Sequence, residues 1–210
     1  MNERDNVLLD RRARRPTSGR MYIETEPTPN PAVLKFLPGQ TVTDLGTREF
    51  ASPEEAEASP LAAALFGTGE VTNVFFGRDF VSVTAAPGVD WTVLKPQVVA
   101  VLLDHFVSQA PLFTPGSAAG IEVPPEDEIG DDPKDADIVA QIQELLETRV
   151  RPAVAGDGGD IRYRGFRDGV VYLAMQGACS GCPSSTATLK HGIEGLLKHY
   201  VPEVREVRAA

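Results

Sequence analysis

The chain contains two cysteines, Cys179 and Cys182, both in the stretch GACSGCPSS at positions 177 to 185. Thiols spaced Cys-x-x-Cys can cycle through one disulfide, supply half of a four-thiolate site, or pack as small hydrophobes. Gly177, Ala178 and Gly181 keep bulk away from both sulfurs, and Pro183 suits the first position of a helix, which puts Cys182 at or near its cap. Unpaired N–H groups and the positive end of the helix dipole at such a cap favour thiolate, so lowered cysteine pKa values are expected.

Four uses of the pair compete. Two buried hydrophobic cysteines fit a glycine-rich loop at a helix start poorly. Structural zinc wants four ligands. A third, His191, lies nine residues past Cys182 on a helix face turned from the core, while His105 and His199 read as structural. A dithiol oxidoreductase suits the strand-to-helix position, but only 28 residues follow Cys182, too few for the rest of a thioredoxin-like fold. The remaining use is a half-site: two chains about a twofold axis bring four thiolates, the number that holds a [4Fe-4S] or a [2Fe-2S] cluster. A cluster at a subunit seam is released when the seam opens, which suits delivery.

The elements that must position this loop are short. After Asp137 as a cap, IVAQIQELLETRVRPAV presents Ile138, Ile142, Leu145 and Leu146 on one face of a helix. AGDGGD turns the chain, DIRYRGF and VVYLAM form a hairpin around Arg167-Asp168-Gly169, and Leu189, Ile193, Leu196, Leu197 and Tyr200 stripe a helix before a last strand near VREVR. The order is αββαβ. Ahead of it, MYIETE, AVLKFL, VTNVFF and FVSVTA read as strands, Ser52-Pro53 and Ser59-Pro60 open a broken helix, and Asp90 caps WTVLKPQVVAVLLDHFVSQ, with Pro96 in its second turn. This gives ββαββα. The fold class is therefore α+β, two small α/β sandwich domains joined by an acidic Pro/Gly-rich linker. The expected division is a disordered basic tail over 1–20, a first domain over 21–115, a flexible acidic linker over 116–136 and a cysteine-bearing domain over 137–210.

Net charge is -10, from 20 basic and 30 acidic residues, and opposes nonspecific attraction to nucleic acid or anionic membrane. Residues 21–115 carry 11 acids against 4 bases, whereas 138–210 carry 8 against 9, so the acidity belongs to the first domain and the linker. The longest apolar run, VVAVLL at 98–103, is far short of the roughly 20 residues that span a bilayer. With two cysteines and no apolar stretch behind the start, a reducing compartment is expected: bacterial cytoplasm, with the mitochondrial matrix as alternative.

GDGGDI at 156–161 followed by GACSGCPSSTATLKHGIE at 177–194 resembles the C-terminal NifU-like domain of iron–sulfur cluster scaffold and carrier proteins, and MYIETEPTPNPAVLKFLPG at 21–39 resembles the N-terminal domain of the Nfu subgroup. The resemblance implies a carrier rather than an enzyme. It implies a homodimer that holds a [4Fe-4S] cluster, or a [2Fe-2S] one, between subunits and passes it to recipient apoproteins, with upstream assembly proteins as further partners. Its ligands carry over to Cys179 and Cys182 alone. The subgroup's N-terminal domain begins near Met21, so residues 1–20 depart from the pattern, as an overextended start or a lineage-specific tail. A thiol–disulfide oxidoreductase using the same pair is the alternative, and the first domain, which holds no cysteine, is expected to serve partner recognition.

Overall fold

The structure, a computed structural model, describes residues 22–117, 129–180 and 183–210, the side chains of 183–185 excepted. The expected basic tail, the middle of the expected linker (118–128) and Cys182 lie outside the described residues.

Strands rich in Val, Phe and Thr build the first domain's antiparallel sheet: β1 (Glu24–Pro27), β2 (Val33–Leu37), β3 (Arg48–Phe50), β4 (Val71–Phe76) and β5 (Val81–Ala85), in the order β1-β2-β5-β4-β3. Strand β3 departs from the expected ββαββα because three residues carry no readable alternation. The broken helix is α1 (Pro53–Ala56) and α2 (Pro60–Phe66); Ser52 and Ser59 each accept the N–H three residues on, and each helix starts on proline. Asp90 accepts the Thr92 N–H at 2.8 Å and opens α3 (Trp91–Ser108), which runs on through Pro96. Leu94, Val98 and Leu102 of α3 share one apolar core with Phe36, Phe50, Leu61, Leu65 and Phe76.

In the second domain Asp132 caps a 3₁₀ turn at Pro133–Asp135, and Asp137 sits inside the first turn of α4 (Ala136–Leu145) rather than capping it. The single helix expected from Ile138 onward is instead α4, a wider π turn at Leu146–Val150, and α5 (Arg151–Gly156). Pro152 supplies the reason: it has no N–H for the Thr148 carbonyl, and its ring crowds that turn, so the helix must widen there. Strands β6 (Gly159–Arg167) and β7 (Val170–Gly177) pair antiparallel around Asp168 and Gly169, both at positive φ (53° and 79°) as a type I′ turn requires. Helix α6 (Pro183–Tyr200) then crosses back so that β8 (Glu206–Ala209) pairs parallel with β7. Ile142, Ile161, Leu173, Leu197 and Val207 fill this second core.

Candidate functional site

Register decides what surrounds the cysteines. Gly159, at the start of β6, pairs with Gly177, at the end of β7, so the glycine turn and the cysteine loop leave the same end of the hairpin side by side. The Ala178 N–H donates to the Gly158 carbonyl at 3.2 Å, and the Ser180 hydroxyl to the Gly177 carbonyl at 2.8 Å. Thr186, in the first turn of α6, donates its hydroxyl to the Cys179 carbonyl at 2.9 Å and ties the loop to the helix. Cys179 itself is buried against Gly159, where a Cβ would stand 2.7 Å from its Sγ. Only glycine leaves room for that sulfur.

At Cys179 the expected lowering of the thiol pKa is contradicted; Cys182 lies outside the described residues. Burial first, then the nearby carboxylates of Asp157 and Asp160, push Cys179 up to about 12. Asp160 is itself buried and accepts two hydrogen bonds from Arg151, Nε to Oδ1 and Nη2 to Oδ2, each 2.8 Å. A ligand at Cys179 must therefore displace a firmly held proton.

The first domain closes over this end of the hairpin. Glu26, Lys35, Ser82, Phe75 and Glu49 form one cross-strand row, one residue from each strand, on the sheet face opposite the apolar core. Lys35 Nζ donates to the Gly156 carbonyl at 3.1 Å and pairs with Glu26 at 3.1 Å; the Ser82 hydroxyl donates to the Gly158 carbonyl at 2.6 Å. Glu49 Oε1 accepts from the Gly177 N–H at 3.1 Å, the Ser180 hydroxyl at 3.3 Å and Asn73 Nδ2 at 3.0 Å. Beside the row, Thr47 donates its hydroxyl to Asp160 Oδ2 at 2.8 Å and its carbonyl accepts from Arg162 Nη2 at 2.7 Å. Across the loop, Pro29 walls a cleft of about 30 Å³ together with Asp157, Ala178, Cys179 and Leu189.

The histidines stay apart from the loop: His191 is exposed with its ring on the Ala187 carbonyl, His105 is buried beside Phe106, and His199 meets the Tyr200 ring edge to face. Among the described residues no group of three or more His, Cys, Asp and Glu could hold a metal ion, and no helix is long and apolar enough to cross a membrane. Sequence reasoning missed Pro29, Lys35, Thr47, Glu49 and Ser82. The run Val74-Phe75-Phe76, apolar without alternation, was the available sign that both faces of β4 are covered.

Two family descriptions match, "Scaffold protein Nfu/NifU N terminal" over residues 23–109 and "NifU-like domain" over residues 142–208. Among similar proteins, NifU-like protein 4, mitochondrial, of Arabidopsis thaliana is 49% identical over 89% of this chain and 65% of its own length. NifU-like protein 5, mitochondrial, of the same plant is 49% identical over 89% of this chain and 67% of its own. The human NFU1 iron-sulfur cluster scaffold homolog, mitochondrial, is 47% identical over 89% of this chain and 71% of its own. The chain thus spans about two thirds of the length of these curated relatives. The expectation of a bacterial cytoplasm is overturned: these three and five Drosophila relatives at 45 or 46% identity are all mitochondrial by name. Composition cannot make that distinction, since cytoplasm and matrix both keep thiols reduced. With both domains matched in order and close to half of the aligned residues identical, the chain belongs to the NifU-like/Nfu family of iron–sulfur cluster scaffold proteins.

Proposed function

We infer that the chain carries an iron–sulfur cluster as cargo, held by Cys179 and Cys182 of two copies and passed to recipient apoproteins. The observation that carries this reading is the glycine backbone packed against Cys179. A Cβ at Gly159 would stand 2.7 Å from its Sγ, so the turn keeps side-chain bulk off that flank of the sulfur. Two thiols per chain fall short of the four that hold a [4Fe-4S] or [2Fe-2S] cluster, and a twofold pair of loops supplies them. The mitochondrial naming of the relatives agrees with cargo of this kind, and the scaffold family to which the chain belongs is not one of enzymes. The division into a first domain, a tether and a cluster domain is part of the same proposal, with the tether expected over 116–136 shortened at its far end: the Ile129 N–H donates to the Arg164 carbonyl at 2.8 Å and Asp131 accepts the Phe166 N–H at 2.7 Å, so residues from 129 on belong with the cluster domain.

Anaerobic reconstitution of the full chain with iron and sulfide tests it. Metal and sulfide counts, Mössbauer spectra and sizing are expected to give one [4Fe-4S] cluster per dimer, and Cys179→Ala or Cys182→Ala to abolish it. Full occupancy in either variant, or iron held by a monomer, contradicts the assignment.

One observation favours a second reading. A single chain brings two thiols and, among the described residues, no group of three or more metal-binding side chains, which is all that a dithiol–disulfide exchanger needs. A colourless monomer that reduces insulin with dithiothreitol would select it.

A further inference from the structure

We propose that the outer face of the first domain's sheet is a cap for the cysteine loop of its own chain, one that must lift before two loops can meet around a cluster. What the loop binds rests on the carrier reading above; the capping is read from contacts within one chain.

The cap grips the loop from two sides. On one side Glu49 Oε1 holds the Gly177 N–H and the Ser180 hydroxyl. On the other Pro29 closes the cleft at Cys179 to about 30 Å³. A cleft of that size admits a few water molecules at most and is too small for an iron–sulfur core.

Several of its contacts go to backbone. Ser82 and Lys35 donate to the carbonyls of Gly158 and Gly156, and Phe75 packs against Gly177, where a Cβ would come within 2.9 Å of the ring. At Gly158 a Cβ would stand 2.8 Å from Ser82 Oγ and 3.2 Å from Thr28 Cγ2. The glycine turn is therefore shaped on one side to the Cys179 sulfur and on the other to the first domain. Hydrogen bonds and a single aromatic wedge also make an interface of the polar kind that opens, unlike the apolar seams of obligate assemblies. A partner loop and the cap claim the same space, so loading is slowed by the fraction of chains that are closed.

The test uses the full, reduced, cluster-free chain. Ser82→Arg puts a long side chain where the Gly158 carbonyl now sits, and Glu49→Ala removes the other grip without touching the core; either alone decides if the other misfolds. Iodoacetamide labelling of Cys179, assigned by peptide mass spectrometry, is expected to quicken about tenfold or more in a folded variant, with a larger radius of gyration in solution. Labelling at the wild-type rate in every folded variant overturns the cap. Iron and sulfide uptake by the same samples reports on the carrier reading separately. A variant that labels faster yet takes up no iron leaves the cap standing and removes the cargo.

Discussion

Glu49 Oε1 lies 3.1 Å from the Gly177 N–H, a hydrogen bond between a three-residue edge strand and the cysteine loop 128 residues further on. It places a carboxylate at the seam of the two domains, where burial first and Glu55 to a lesser degree raise its pKa above the ordinary 4.5, against the lowering effect of Gly177, Asn73 and Ser180.

The sign of the resulting pH dependence follows from linkage. Below the ordinary carboxylate range both closed and opened forms carry the proton, and the closed form has its full stability. As pH rises through the raised pKa, charge must be held at the buried seam and that stability is lost. Glu49→Gln keeps an acceptor and cannot ionise. Urea unfolding from pH 4.5 to 7.5 is expected to show wild type losing stability relative to Glu49→Gln as pH rises; a constant difference would refute the linkage.

Gly177 has φ of 63°, and a Cβ there would stand 2.8 Å from the Gly158 carbonyl and 2.9 Å from the Phe75 ring. Left-handed backbone costs a side-chain-bearing residue about 1–2 kcal/mol before any clash. Gly177→Ala is expected to lower unfolding free energy by about 2 kcal/mol or more. Gly195 of α6, with open space around its Cβ position, is the control: Gly195→Ala should stabilise by roughly 0.5–1 kcal/mol. Equal effects from the two changes would remove the close approach as the cause.

Cys179 offers a direct chemical measure of its surroundings. With its pKa pushed up to about 12, the thiolate fraction at pH 8 is about 10⁻⁴, against roughly a quarter for an unperturbed thiol. Iodoacetamide should therefore modify Cys179 about a thousandfold more slowly than a free cysteine at pH 8. The rate should climb about tenfold per pH unit up to pH 10. A plateau below pH 9 would show a thiol that burial and carboxylates do not hold.

Much of this was legible in the residues. The hairpins, the Ser-Pro helix starts and the buried Ile193 and Leu197 of the last helix follow from turn chemistry and periodicity, which act within a few positions, whereas Tyr200, expected in the same stripe, is exposed. What escaped depends on distant chain segments. Glu49 reads as an ordinary charge on a loop until register aligns it with Phe75, Ser82 and Lys35. The thiol pKa was misread for a related reason: the helix-start effect is local and visible, whereas the Asp157 and Asp160 carboxylates and the burial beside Gly159 arise from folding. The widened turn after Leu145 was readable in Pro152, and the apolar stripe running through it masked the break.

Asp160 joins these threads, because one carboxylate serves the fold of the second domain, the docking of the first and the charge state of the sulfur. Its side chain is 4% exposed and bonds both Arg151 and Thr47, whereas Arg151 keeps 35% exposure and a second partner, Glu147, at 2.8 Å. Removing the buried partner strands a guanidinium that water still reaches, so Asp160→Ala should cost about 2–3 kcal/mol, below the range for fully buried pairs. Glu147→Ala, at an exposed i,i+4 pair, should cost about 0.5 kcal/mol or less. Since Asp160 also raises the thiol, the labelling profile of Cys179 should move to lower pH in Asp160→Ala and stay in place in Glu147→Ala. Loss of stability without that movement would confine Asp160 to the scaffold and leave burial and Asp157 as the groups that hold the proton on the sulfur.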